Sequence, residues 1–204
     1  MTATLVGVDE LIHSPRHRRY LLRHTFSGAS LTPSDLGPAF STVSGTASVS
    51  GGVLTKVGAT NLEVKATGVG ASLVYQATLN FGASAGVNRR MLLRARQDGA
   101  GSNRFQLTLN RVANQIILAR VDAGTPTTIG SVSFTVADST NYVLQWRITG
   151  SRHEVLIATG AGPFASQFVV TDAAFAAQTT VGAFIIDDDA SPTATIDDLL
   201  VWAA

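Results

Sequence analysis

The stretch Asn141–Gly160, NYVLQWRITGSRHEVLIATG, constrains the fold of this chain more than any other. Tyr142, Leu144, Trp146 and Ile148 alternate with Val143, Gln145, Arg147 and Thr149, the period of two of a strand with one buried face. Gly150-Ser151 then supplies a two-residue turn, because glycine accepts the positive φ a tight hairpin needs. One register satisfies every pair. Trp146 falls opposite Val155 and Leu144 opposite Ile157 on the core face, while Arg147 meets Glu154 on the other. Such an opposite-charge pair contributes on the order of 0.5 kcal/mol. Glu154 is thereby engaged, and His153 is expected beside the turn, exposed or half-buried.

The rest of the chain repeats this grammar without a helical stretch. Strands are expected at Thr46–Val49 and Val53–Val57 around the turn Ser50-Gly51-Gly52. Others are expected at Asn61–Ala66, Ser72–Asn80, Arg90–Arg96, Phe105–Asn110, Gln115–Val121, Thr127–Ile129, Ser131–Val136, Gln167–Thr171, Thr180–Ile186 and Thr195–Trp202. Turn signals such as Asp98-Gly99 and Asp122-Ala123-Gly124 separate them, and no repeat of fixed period argues for a propeller or solenoid. Nineteen glycines among 204 residues suit many short strands, and helix formers are scarce, with two Lys and three Glu. The fold class is therefore all-β, an antiparallel sandwich or jelly roll.

Charge divides the chain. The formal net charge is only +1, but residues 1–24 hold Arg16, Arg18, Arg19, Arg23 and three of the four His. This segment, with Tyr20 as its one aromatic, is expected to be a basic N-terminal arm (1–24) preceding the sandwich (25–204). The arm would dock on an acidic partner or a neighbouring copy; with so little aromatic interleaving, nucleic acid is not the expected partner. Cys is absent, which excludes disulfides, Cys-ligated zinc and thiol catalysis. No apolar run approaches a membrane span, and the start, MTATLVGVDELIHSP, lacks the pattern of a secretory signal, so neither membrane contact nor general export is expected.

The order of motifs resembles the laminin-G/concanavalin-like jelly roll, which implies a two-sheet antiparallel jelly-roll sandwich. Thr25-Phe26 with Leu31 and Phe40, then Val43-Ser44-Gly45-Thr46 and Ser50-Gly51-Gly52-Val53-Leu54, are similar to that family's opening. Phe105–Leu109, Ile116–Val121 and Tyr142–Ile148 match its long central strands, and Val181-Gly182-Ala183-Phe184 with Ile196-Asp197-Asp198-Leu199-Leu200-Val201 its closing ones. Ala47 stands where many relatives place Trp. The fold serves lectins, carbohydrate-binding modules, glycosidases, adhesion domains and phage virion proteins, and does not choose among them.

Glycoside hydrolysis needs two carboxylates flanking a bond. Glu10, Glu63 and Glu154 are isolated in the sequence, and no strand carries two acids at the spacing of this fold's glycosidases. A Ser/His/Asp triad is equally without support, so no catalytic residue is expected. Asp187, Asp188 and Asp189 with Asp197 form the one cluster whose oxygens suit calcium, and some relatives carry a rim calcium. Tyr75, Gln76, Arg94, Arg96, Gln106 and Arg147 could line a sheet face, whereas Trp146 and Trp202 read as core. Arg90, Arg94 and Arg96 share one face by period and form an expected contact for an acidic glycan or a neighbouring subunit.

The leading expectation is a non-enzymatic virion structural protein. It would be a capsid-decoration or tail-associated jelly roll, assembled in a host cytoplasm and anchored by its arm to other virion proteins and its own copies. A carbohydrate-binding or host-adhesion module recognising a surface glycan is the alternative, and a glycosidase the remote one.

Overall fold

The computed structural model describes residues 20–26, 31, 36–58, 60–83, 86–189 and 193–204. Fifteen strands follow one another: β1 (Tyr20–His24), β2 (Ser41–Ser44), β3 (Thr46–Ser50), β4 (Val53–Val57), β5 (Leu62–Ala66), β6 (Leu73–Asn80), β7 (Arg89–Gln97), β8 (Arg104–Asn110), β9 (Gln115–Asp122), β10 (Thr125–Ser133), β11 (Asn141–Thr149), β12 (Arg152–Thr159), β13 (Ala165–Thr171), β14 (Thr180–Asp187) and β15 (Thr195–Ala203). They pair antiparallel throughout, as an eight-stranded sheet ordered β13-β12-β11-β6-β15-β4-β3 with β1 also on β15, and a seven-stranded sheet ordered β10-β9-β8-β7-β14-β5-β2. The all-β jelly-roll sandwich is the fold.

The central hairpin has the register its side chains demand: Leu144 opposite Ile157, Trp146 opposite Val155 and Arg147 opposite Glu154, with Gly150 at a φ of 57° in the turn. Tyr142, Leu144, Trp146 and Ile148 face Met91, Leu93, Phe105, Leu107 and Ile116 of the other sheet in one continuous buried cluster. Burial at roughly 25 cal/mol per Å² makes this layer the main stabilising term.

Several details differ from the sequence reading, each for a physical reason. Residues 20–24 belong to the sandwich rather than to an arm: they pair with Leu199–Trp202 and bury Leu22 completely. Residues 1–19, with Arg16, Arg18 and Arg19, lie outside the described residues. The two strands expected on either side of Gly130 are one strand, β10, with a register shift there. A Cβ at Gly130 would sit 2.8 Å from the Phe168 ring and 2.9 Å from Val170, so glycine here admits side chains of β13 rather than a turn. Trp202 is buried but not in the core: Val201 takes the inward position, and Trp202 lies on the outward face with Tyr20 edge-on at 6.1 Å. Tyr75, a candidate for a sheet face, points inward, fully buried, and donates its hydroxyl to the Gly182 carbonyl at 3.0 Å.

His153 is also interior. It is fully buried beside Trp146 and Phe105, with ring centroids 5.9 and 4.5 Å away, and its Nε2 faces the Asp172 carbonyl at 3.0 Å. Burial, reinforced by the nearby Arg96 charge and opposed by Asp172, holds its pKa below the ordinary 6.5. The unfolded chain therefore takes up the proton first. Stability from this residue is full above pH 6.5 and is lost as pH falls from there toward the folded value. Melting temperature should drop between about pH 7 and pH 5, and His153→Gln should reduce that slope. Equal slopes in the two proteins would refute this assignment.

Candidate functional site

Strand β7 sends Met91, Leu93 and Ala95 into the core and Arg90, Leu92 and Arg94 to the outward face of the seven-stranded sheet. Pairing with its neighbours arranges that face in rows. Ile186, Arg90, Asn110 and Gln115 form one row. Glu63, Phe184, Leu92, Thr108 and Ile117 form the next. Lys65, Gly182, Arg94, Gln106 and Ala119 form the third, with Arg104 beyond it. Since Gly182 has no side chain, Arg94 can lean across β14. Its guanidinium lies 4.4 Å from the centre of the Phe184 ring and forms an ion pair with Glu63. Arg94 is 8% exposed and Glu63 9%, so each shields the other from water.

On the next strand Arg104 donates to the Gly101 carbonyl and, at 3.4 Å, to Gln106 Oε1. Burial lowers the Arg104 pKa, and the positive charge of Arg94 lowers it further against Glu63 and Asp98. At the other end Arg90 helps line an open cleft of ≈ 170 Å³ with Asn88, Arg89, Asn110, Val112 and Ala113. The face thus offers amides, a hydroxyl and guanidinium groups around one half-buried aromatic ring. It can hydrogen-bond a polyhydroxylated ligand laid across the strands. Glu63 is the one carboxylate on the outward positions of these strands among the described residues, and it is committed to Arg94.

The structure brings Arg90 and Arg94 to this face and removes Arg96 from it. Arg96 has a φ of 48° and lies where the β7–β14 register shifts, so its side chain turns toward the sandwich end. There it is 1% exposed and donates to the carbonyls of Ala71 at 3.0 Å, Ala174 at 3.4 Å and Gly150. It is a structural clamp, not part of a glycan or subunit face. Gln76 and Arg147 lie on the opposite outward face, in a hydrogen-bonded ladder through Gln145 that ends on Glu154. Of the arm residues, Tyr20 and Arg23 belong to β1, and the Arg23 N–H donates to the Leu36 carbonyl at 2.8 Å.

Of the expected calcium ligands, Asp187 and Asp188 bring carboxylate oxygens together beside Gly86, but Asp197 does not join them. Asp187 is fully buried, 3.9 Å from Arg89 Nε, and accepts from the Asp189 N–H at 3.0 Å. Asp188 accepts from the Asn88 backbone and side chain at 3.0 and 3.2 Å, which holds its pKa below the usual carboxylate range. Asp197 lies on the other sheet and accepts from the Asp198 N–H at 2.7 Å, its pKa raised by burial and by Asp198. Among the described residues no group of three or more acidic or imidazole side chains could hold a metal ion. The carboxylates act instead as acceptors for Arg89, Asn88 and backbone N–H groups.

Period-two alternation made Arg90, Arg94 and Gln106 readable from the sequence, but Thr108 and Asn110 on the same strand as Gln106 were not singled out. Glu63, Lys65, Arg104 and Phe184 were missed, since they reach the face only through pairings between distant strands.

No protein-family model matches the chain, and no curated protein matches it. Solved structures do. The carbohydrate-binding module CBM66 of Bacillus subtilis superposes with a TM-score of 0.65 at 15% identity, covering 80% of this chain and 95% of that one. The exoplasmic/lumenal domain of VIP36, in its Ca2+/Man3GlcNAc-bound form, gives 0.67 at 11% identity over 92% and 90% of the two chains. The CBM2 module of the evolved Dit of Lactobacillus casei BL23 phage J-1 gives 0.61 at 13% identity over 90% and 95%. Glycoside hydrolase chains match too, with this chain spanning 39% of the length of one. At these identities the likeness establishes a shared jelly roll.

Proposed function

We propose that this chain is a non-catalytic carbohydrate-binding module whose binding surface is the outward face of the seven-stranded sheet. The observation that carries the reading is the polar floor of Gln106, Thr108 and Asn110 beside Arg94 stacked on Phe184. Planar amides and guanidinium groups match pairs of sugar hydroxyls, and the ring edge gives the sugar's apolar side a surface. The likeness to carbohydrate-binding and lectin-like domains supports the reading. Catalysis is set aside because hydrolysis needs a carboxylate pair and Glu63 is held by Arg94. A glycan array probed with the folded chain should return at least one ligand, and Gln106→Ala should weaken that ligand about tenfold in titration calorimetry. An empty array, or full affinity in the variant, rejects the assignment.

A second reading places the module on a phage particle, anchored through residues 1–19 to virion proteins or to its own copies. The likeness to a module of a phage Dit favours it, as does the basic character of Arg16, Arg18 and Arg19. The test is a deletion of residues 1–19 rather than 1–24, because the longer cut removes β1 from the sheet. Assembly state and particle binding should fall in the truncated protein while its melting temperature holds. Unchanged assembly and docking would exclude the anchoring role.

A further inference from the structure

The two outward faces of the sandwich handle charge differently. On the eight-stranded sheet Arg147 and Arg152 both reach Glu154, at 3.7 and 3.0 Å. The outward face of the seven-stranded sheet carries Arg90, Arg94, Arg104 and Lys65 against the single carboxylate of Glu63. Glu63 is consumed by Arg94, and among the described residues no carboxylate lies within ion-pair distance of Arg90, Arg104 or Lys65. All three are half-buried, so their charge is less screened than that of a fully exposed side chain.

We infer that this face takes an acidic glycan, one bearing carboxylate or sulfate groups along its length, with those groups at Arg90, Arg104 and Lys65. The inference rests on the carbohydrate-binding reading above and deepens it. Geometry sets the scale. Arg90 stands two rows from the row that holds Lys65 and Arg94, with Arg104 one row further, and four residues along β7 separate Arg90 from Arg94, about 14 Å at roughly 3.4 Å per residue. Lys65 and Gln106 share a row across four adjacent strands, about 14 Å at roughly 4.8 Å per strand. A chain of a few sugars crosses that span, and its acidic groups meet separated cations rather than one deep pocket.

Arg104 shows what a ligand anion would relieve. Its two terminal nitrogens donate to the Gly101 carbonyl and Gln106, but its Nε is buried without a hydrogen-bond partner, and burial with the nearby Arg94 charge outweighs the attraction of Glu63 and Asp98. Asp98 attracts Arg104 but is already engaged by the N–H groups of Ser102 and Asn103, and the other carboxylates near the rim are committed as well. Asp138 is held by Arg89 and Arg111 at 2.8 and 3.0 Å, Asp187 lies against Arg89, and Asp188 accepts from Asn88. Single-stranded nucleic acid is a polyanion too, but it needs open aromatic platforms for its bases. The aromatic ring of this face, Phe184, already has Arg94 over it.

The test compares the full chain on polygalacturonate and on its methyl ester, and on dextran sulfate and dextran, with a single-stranded oligonucleotide as a further arm. Each acidic polymer should bind at least tenfold more tightly than its neutral counterpart, the difference shrinking as salt is raised. Arg90→Gln and Lys65→Gln should each weaken the acidic polymer several-fold, with melting temperature confirming the fold. Equal binding of acid and ester, or of sulfated and plain dextran, overturns the acidic-ligand inference and leaves glycan binding standing. Failure on these polymers and on the whole glycan array removes both. Tightest binding to the oligonucleotide overturns the inference in favour of nucleic acid.

Discussion

Replacing Arg96 with leucine is expected to lower stability by about 3–5 kcal/mol, the loss typical of breaking a buried charged hydrogen-bond network. The guanidinium ties three separate loops to β7: the segment before β6 through Ala71, the β11–β12 turn through Gly150, and the segment after β13 through Ala174. Leucine would leave those carbonyls without their donor at a site where Arg96 is 1% exposed. Lysine should recover only part of the loss, since a point charge cannot serve three acceptors in a planar fork. Arg96→Gly separates backbone from side chain. It would relieve the φ of 48° yet lose the guanidinium, so it should also destabilise. Chemical denaturation checks the series. A glycine variant as stable as the parent would show that the backbone, not the clamp, matters here.

The second large effect belongs to the binding face. Glu63→Gln should cost about 3 kcal/mol or more, because it leaves the Arg94 cation in a site of 8% exposure with no counter-charge. Replacing both partners, as Glu63→Leu with Arg94→Met, should restore most of the lost stability, since an apolar pair of similar volume needs no desolvation. The double variant would then be a folded protein with an altered floor under Phe184, and glycan affinity should stay reduced. Denaturation midpoints report the first part and calorimetry the second. If Glu63→Gln melts with the parent protein, the ion pair is not holding Arg94, and the face loses its organising contact.

Both experiments turn on residues that the sequence shows but does not connect. Glu63 reads as isolated, and its partner lies 31 positions away on a strand that is not even its neighbour, since β14 runs between them. Arg96 has the right parity to join Arg90 and Arg94. A register shift sends it elsewhere, and no local pattern announces a bulge. The calcium expectation is not met for a similar reason: Asp187 and Asp188 come together beside Gly86, but Arg89 and Asn88 engage them and Asp197 lies on the other sheet, which the sequence does not show. His153 sits beside a turn by number and in the core by geometry, because Phe105 and Trp146 close over it.

By itself, the sequence determined most of the elements from β3 onward and the grammar of the central hairpin, while β1 and β2 emerged only from their pairing with β15 and β5. Period-two alternation, glycine at a positive-φ turn and the match of Leu144 to Ile157 and Trp146 to Val155 are local, and local energetics suffice to set them. Tertiary structure alone decided which strands became neighbours in each sheet, and so which charges met. Pairing across sequence-distant strands is set by the whole core's burial, to which any single surface side chain contributes little. The hairpin was therefore legible from twenty residues, while the cationic face of the other sheet existed only once β5, β14, β7 and β8 lay side by side.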